Sequence, residues 1–451
     1  MPDALLLDLY ELTMAQAYFY HKPPDAMATF DLYVRKLPPR RNYLIACGLA
    51  DILAYFGTLR FSKEDLKYLR GLRLFSSDFL RYLAAFKFSG DVWAMPEGTV
   101  FFAHEPVIRV TSPIIEAQII ESFLLNTVNL QTMIASKASR IISSAAGRPV
   151  FDFSLRRTHG SEAGIKVARS SYIAGFSGTA TVEAGKLYGI PVVGTMAHSF
   201  VLSFKREIDS FLAYSRVFPD KSTLLVDTYD VKKGIDNAVI AGLYLKGKGY
   251  SLRGIRLDSG DIVYWSRKAR RMLDARGFRK VGIVASGNLD EFKIKKLLQK
   301  GALVESFGVG TNMGTSIDAP CLDVIYKLSE ISDEAGRFLP KMKLSRGKAT
   351  YPGRKQVFRI RDKAAGYAKD ILALESEDIK GEPLLRKVVA GGRVVYRQEP
   401  LERIRKRAAA QLSCFPSSLK AIDRKYRYPL IISDGLRNIM RLLARQLAGR
   451  Q

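Results

Sequence analysis

Between Val150 and Thr315, short apolar runs end again and again in clusters of Gly, Ser, Thr, Asp, Arg or His. The clusters are FDFSLRRTHGSE (151–162), GFSGTAT (175–181), VVGTMAHS (192–199), LLVDTYD (224–230), IRLDSGD (255–261), and the pair VASGN (284–288) and FGVGTNMGTS (307–316). Runs this short, rich in Val, Ile, Leu and Phe, suit strands buried on both faces of a parallel sheet. Helix-length stretches separate most of them. In a β/α barrel such polar strand ends share one face, where active sites are built. The pattern predicts an α/β protein centred on an irregular β/α barrel, with its site spread along the chain.

The flanking segments read differently. Helical spacing runs through LLLDLYELTMAQAYFY (5–20), followed by a strand at AMATFDLYV (26–34), a loop KLPPRRN and a helix over Tyr43–Tyr55. DVWAMPEG and VFFAHEPVIRVTS supply further strands. Pro113 then opens a long helical stretch that Gly147 stops, the expected punctuation; its length and β-branched content predict two joined helices. After Gly336 shorter strands, KQVFRIRD and GRVVYRQ, alternate with the turns YPGR and AGGR. The tail, 434–451, has the spacing of a basic amphipathic helix. Three domains are expected: an N-terminal α/β domain (1–112), the barrel (113–335), and a β-rich and helical C-terminal extension (336–451) packing on the first.

Composition narrows the class. A chain of 451 residues exceeds one ordinary core. No uncharged apolar stretch of membrane-spanning length occurs, and no basic segment precedes the first apolar run, so neither a span nor a signal peptide is expected. Cys47, Cys321 and Cys414 lie far apart and form no CxxC pair, which favours a cytoplasmic setting over a disulfide or zinc framework. The net charge is +27, and residues 401–451 hold 12 Lys or Arg against 3 Asp or Glu. Such an excess suits nucleic acid, an acidic surface or a phosphorylated small substrate. Outside the tail it is diffuse, without interleaved stacking aromatics, as on an ordinary solvated surface.

Several clusters carry candidate chemistry. FDFSLRRTHG places Arg156, Arg157 and His159 just past a strand, where guanidinium forks can pair with phosphate or carboxylate; a solvated basic turn explains them equally well. Phe153 there can stack on a flat ring. In GTMAHS, His198 lies between small residues near Thr195 and Ser199, placed to act as a base, a phosphate contact or a covalent phosphate carrier. IRLDSGD offers Arg256, Asp258, Ser259 and Asp261, and LLVDTYD adds Asp227 and Asp230. Asp accepts from ribose hydroxyls or orients Mg²⁺-bound water, while Arg neutralises charge. One Asp of the LLVDTYD pair serves equally well as a helix cap.

SGN and FGVGTNMGTS are glycine-rich turns whose backbone N–H groups, at Gly308, Gly310 and Thr311, can cradle a monophosphate. Two successive strands ending this way, late in a βα series, match the common barrel phosphate site. Neither GxxxxGK[ST] nor GxGxxG is present. The residues alone point to a barrel enzyme that handles a phosphorylated sugar.

The chain resembles the nicotinate phosphoribosyltransferase family over almost its whole length. LLLDLYELTMAQAYF resembles the family's opening D-x-Y-x-x-T-M through Asp8, Tyr10 and Thr13, with Leu7 in place of the usual Thr. LLNTVNLQTMIASKASRI, the strand ends above and KLSRGKATYPGRKQVFR (343–359) fit as well.

The resemblance implies transfer of phosphoribose from 5-phosphoribosyl-1-pyrophosphate to nicotinate, within NAD salvage by the Preiss-Handler route. ATP is the co-substrate, Mg²⁺ the metal with no ligands assigned, and His198 the transient phosphohistidine. It also implies a homodimer in which Phe153 and Tyr10 of a second protomer sandwich the pyridine. Arg256 would face the carboxylate and Arg156 and Arg157 the phosphates. Asp258, with Asp227 and Ser259 nearby, would hold ribose. Gly287, Asn288, Gly308, Gly310 and Thr311 would take the 5′-phosphate.

In related nicotinamide enzymes the strand end GTDT carries an Asp that accepts from the carboxamide; this chain has Ala180, which tolerates the acid. Quinolinate or nicotinamide phosphoribosyl transfer are the alternatives, and a nucleic-acid-binding protein is the rival of another class.

Overall fold

The computed structural model describes residues 4–23, 25–343, 350–362 and 366–448. Its contacts divide the chain into two compact units, one built from 1–133 with 321–451 and the other from 134–320.

The second unit holds the parallel series. Its strands are Val150–Asp152, Gly178–Thr179, Thr223–Leu225, Gly254–Leu257, Gly282–Ala285 and Ser306–Val309. They form one sheet in which Val150–Asp152 lies between Gly178–Thr179 and Ser306–Val309, with the remaining strands following in descending order. A parallel bridge from Thr179 to Val192 adds a further position. Traced from Val192 round to Thr223–Leu225, every neighbour is next in chain order, and the first strand pairs with the last. This is the circular order of a barrel. Among the described residues the backbone ladder stays open between Val192 and Thr223–Leu225. Helices fill the connections, including Ser161–Ile173, Val231–Gly247, Ile262–Ala275 and Glu291–Gln299. Their starts follow capping chemistry: the side chains of Asp230, Asp261 and Asp290 accept from the backbone N–H three residues on.

The first unit is built on an antiparallel sheet of seven strands, in the order Phe338–Pro340, Val324–Ser332, Met27–Val34, Pro106–Pro113, Asp91–Ala94, Arg386–Ala390 and Arg393–Val394. A four-stranded sheet carries Lys355–Asp362 and Gly366–Leu374. Buried ion pairs, Asp31 with Lys355 at 2.7 Å and Arg359 with Asp370 at 2.6 Å, neutralise the charges these strands bring inside.

Several expected elements shift. The helix expected over Tyr43–Tyr55 begins only at Leu49, because Leu44–Ile45 pairs with Val100–Phe101 and Gly48 turns the chain at φ +110°. VFFAHEPVIRVTS divides at a tight turn, where His104 has φ +70° and Glu105 accepts from Phe102 N at 2.8 Å. Val324–Ser332, which lies within the stretch 113–335 expected to form the barrel, pairs antiparallel with Met27–Val34 instead. The long helical stretch is two helices as expected, Ile114–Ile119 and Glu121–Ser144. The tail forms the helix Asp434–Ala448. Of the family-like segment 343–359, residues 344–349 lie outside the described residues. No helix of the described residues is long and apolar enough to cross a membrane.

Candidate active site

Side chains at the polar ends of the parallel strands meet in one hydrogen-bonded group. Arg256, inside the strand Gly254–Leu257, is its centre. Nε donates to Ser286 Oγ at 2.7 Å, Nη1 to Thr195 Oγ1 at 3.1 Å and Nη2 to Asp258 Oδ1 at 2.6 Å. The guanidinium carbon lies 5.4 Å from the centroid of the Phe153 ring, within stacking range of a cation on an aromatic face. Among the described residues three of the five guanidinium protons are thus committed, which leaves two for a ligand.

Asp258 Oδ1 also accepts from Ser286 Oγ at 2.5 Å. Burial alone would push this carboxyl up. The bonds from Ser286 and Arg256, with the nearby His198, hold it below the usual carboxylate range. Asp227 Oδ2 accepts from Asp258 N at 3.0 Å and from Ser259 Oγ at 2.6 Å. Of the LLVDTYD pair, Asp230 caps the following helix, accepting from Lys233 N at 2.8 Å, and Asp261 does the same for Ile262–Ala275. His198 opens the helix His198–Leu202, with Nδ1 hydrogen-bonded to Thr228 Oγ1 at 3.0 Å.

A second network sits under the first two strand ends. Buried Asp152 accepts from Ser154 N at 2.9 Å and from Thr179 Oγ1 at 2.7 Å, and Thr179 Oγ1 in turn accepts from Thr181 N at 3.0 Å. Burial pushes the Asp152 carboxyl up, against those bonds. Ala180 N donates to Asp152 O at 2.8 Å, and the Ala180 side chain is exposed at the strand end.

The glycine turns divide in their roles. Gly287 has φ +91°, and a Cβ there would meet Asp258 O at 1.9 Å. Gly308 lies inside Ser306–Val309, and a Cβ on it would meet the Phe153 ring at 2.4 Å, so its bareness makes room for that ring. Gly310 and Thr311 open the short helix Thr311–Gly314. Asn288 has φ +53°, with its carbonyl accepting from Lys293 Nζ at 2.7 Å and Asn312 Nδ2 at 3.0 Å. Arg156 and Arg157 form an exposed helical turn, and among the described residues neither guanidinium has an ion-pair partner. His159 is exposed beside them. Tyr10 belongs to the other unit, exposed on the helix Leu9–His21.

Ser286, Thr228, Thr179 and Asp152 do not stand out in the sequence. Each acts through a partner in another strand end, and a lone hydroxyl or carboxyl in a polar cluster gives no signal of that.

Models of the nicotinate phosphoribosyltransferase N-terminal domain, the nicotinate phosphoribosyltransferase family and its C-terminal domain match residues 5–129, 149–335 and 378–440. The chain belongs to the nicotinate phosphoribosyltransferase family. A nicotinate phosphoribosyltransferase of Mycobacterium tuberculosis is 46% identical over 433 residues, covering 96% of this chain and 92% of the relative. That of Bacillus subtilis is 38% identical, covering 85% and 79%. The crystal structure of human nicotinic acid phosphoribosyltransferase superposes with a TM-score of 0.88 at 26% identity, covering 97% of this chain and all of that one. A nicotinate-nucleotide pyrophosphorylase from Pyrococcus furiosus, at 24% identity and a TM-score of 0.70, shares the fold. The family's barrel segment, 149–335, contains every strand end described above.

Proposed function

We propose that this member of the nicotinate phosphoribosyltransferase family joins nicotinate to 5-phosphoribosyl-1-pyrophosphate, giving nicotinate mononucleotide and pyrophosphate in NAD salvage by the Preiss-Handler route. The observation that carries the reading is the Arg256 guanidinium, held by three hydrogen bonds over the face of Phe153 with two protons uncommitted. A pyridine ring stacked on Phe153 brings its carboxylate to those protons, a pairing suited to a planar fork.

The pyridine nitrogen is already a nucleophile and needs no base. Its lone pair forms the bond to the anomeric carbon as the carbon–oxygen bond to pyrophosphate breaks, and pyrophosphate leaves with the electron pair. The anionic Asp258 stabilises the positive charge developing on ribose, and its Oδ2 is the oxygen offered to a hydroxyl. Arg156 and Arg157 face the departing pyrophosphate. Gly287, Asn288, Gly310 and Thr311 take the 5′-phosphate, with Gly308 serving to seat Phe153. Tyr10 of a second protomer covers the other face of the ring, which makes the working enzyme a homodimer.

Among the described residues no group of three or more His, Cys, Asp or Glu is arranged around a metal position. A Mg²⁺ carried on the pyrophosphate would neutralise the leaving group. Coupling to ATP runs through His198: its imidazole takes the γ-phosphoryl, releasing ADP, and water later cleaves the phosphorus–nitrogen bond to release phosphate.

The discriminating experiment is turnover with nicotinate, nicotinamide and quinolinate offered separately with phosphoribosyl pyrophosphate. A nicotinate preference is expected. Preference for quinolinate or nicotinamide overturns the assignment.

A further inference from the structure

We propose that Ser286 is a positioning residue, whose single hydroxyl fixes the orientation of Arg256 and of Asp258 together. The proposal rests on the functional reading above, in which Arg256 meets the carboxylate of nicotinate and Asp258 meets ribose.

Ser286 follows the strand Gly282–Ala285 and is buried, with its backbone N donating to Leu257 O at 2.9 Å. Its Oγ lies 2.7 Å from Arg256 Nε and 2.5 Å from Asp258 Oδ1. An arginine N–H only donates and an ionised carboxylate only accepts. The hydroxyl must therefore accept from Nε and give its one proton to Oδ1, with no alternative arrangement. Nη2 donates to the same Oδ1 at 2.6 Å, which closes a ring of three groups.

Two consequences follow for a substrate. The guanidinium is pinned at both edges, at Nε by Ser286 and at Nη1 by Thr195, so its two uncommitted protons point in set directions. Oδ1 of Asp258 is saturated by two donors, which leaves Oδ2 as the oxygen for a ribose hydroxyl. The backbone next to Ser286 supports the arrangement. Gly287, at φ +91°, lets the turn lie directly against the Asp258 carbonyl, where a Cβ would stand only 1.9 Å away.

The test uses the full-length enzyme with Ser286→Ala and the near-isosteric Ser286→Cys, whose thiol is a weak donor and acceptor. Both should raise KM for nicotinate on the order of tenfold, the scale of a lost bond to a charged group, while thermal unfolding stays close to wild type. Discrimination between nicotinate and nicotinamide should narrow. The acid limb of kcat/KM should move to higher pH, because Asp258 loses a donor that favours its anion. A Cys variant that matches wild type in KM and in pH profile assigns Ser286 to packing alone and overturns the inference. So does a loss confined to kcat, equal for both substrates and with the acid limb unmoved. Wild-type enzyme inert towards nicotinate overturns the functional reading and this inference with it; active wild type with indifferent variants overturns the inference alone.

Discussion

His198 and Thr228 are joined across the open seam of the parallel sheet, with Nδ1 and Oγ1 3.0 Å apart. His198 follows the position bridged at Val192, and Thr228 follows the strand Thr223–Leu225. The described backbone makes no ladder bond between these two positions, so a side-chain bond spans the place where main-chain bonds stop. Thr228 thereby fixes one imidazole nitrogen and leaves the other for the phosphoryl-acceptor role proposed for His198.

From this geometry, His198→Ala should abolish stimulation by ATP while leaving some ATP-independent nicotinate mononucleotide. Thr228→Val removes only the bond that holds the ring. A single neutral hydrogen bond is worth about 1 kcal/mol, so its phosphohistidine level should fall roughly fivefold. Product formed with and without ATP measures the first, and rapid-quench labelling with γ-³²P-ATP the second. ATP hydrolysis undiminished in His198→Ala refutes the assignment of that residue.

Arg256 should not be replaceable by lysine. The guanidinium reaches Ser286, Thr195 and Asp258 at once, with its carbon 5.4 Å from the centroid of the Phe153 ring, and one ammonium cannot copy that fork. Arg256→Lys and Arg256→Ala are both expected to lower kcat/KM for nicotinate by about ten- to a hundredfold, from the 1.5–3 kcal/mol of a charge-assisted hydrogen bond. Steady-state kinetics with nicotinate varied checks this. Near-wild-type kinetics in the lysine variant removes Arg256 from carboxylate recognition.

Much of this site was legible because barrel strands put their polar residues at their ends. Phe153, Arg256, Asp258, Asp227 and Ser259 stand out by type and place, and all lie in the second unit at the ends of the parallel strands. What did not show was which hydroxyl serves which charge. Ser286 is thirty residues from Arg256 in sequence, and its neighbours in the chain look like any glycine turn. Gly308 reads as a phosphate-binding glycine, yet the Phe153 ring fills the space beside it, a relation between two strands far apart in sequence. Val324–Ser332 falls within the stretch expected to continue the barrel series, although its sequence, VIYKLSEIS, mixes apolar residues with Lys327 and Glu330. Its partner, Met27–Val34, lies at the far end of the chain, beyond any local pattern.

Glu11 predicts a pH dependence of stability. The residue is buried on the helix Leu9–His21, with Oε1 accepting from Ser122 N at 3.0 Å and Oε2 without a hydrogen-bond partner among the described residues. Burial, against the opposing bonds from Ser122, pushes its carboxyl up to about 8. An unfolded glutamate titrates near ~4.3. Between those values the folded chain holds a proton the unfolded chain has released, so this group's contribution is full below ~4.3 and is lost as pH rises through about 8. Glu11→Gln should therefore unfold a few degrees higher than wild type at pH 8.5, with the gap closing towards pH 5. Calorimetric scans across that range test it, and a gap independent of pH contradicts the buried-proton account.

Ala180 predicts how the choice between acid and amide can be moved. It follows Thr179, whose hydroxyl is tied to buried Asp152, and its own N–H is held by the Asp152 carbonyl at 2.8 Å. Its backbone is thus fixed while its methyl is exposed at the strand end, so a longer side chain can be added there without disturbing the strand. Ala180→Asp brings a carboxylate to the position that, by the resemblance, faces the acid or amide group of the pyridine. Like charges a few ångströms apart, partly screened, repel by about 2–4 kcal/mol, so kcat/KM for nicotinate should drop on the order of a hundredfold. Nicotinamide carries no charge to repel and offers two donors, so its turnover should hold or rise. Ala180→Asn separates charge from size: it adds nearly the same volume without the charge and should keep most of the activity with nicotinate. Equal losses in the Asp and Asn variants indicate steric blockage and remove Ala180 from the selection of acid over amide.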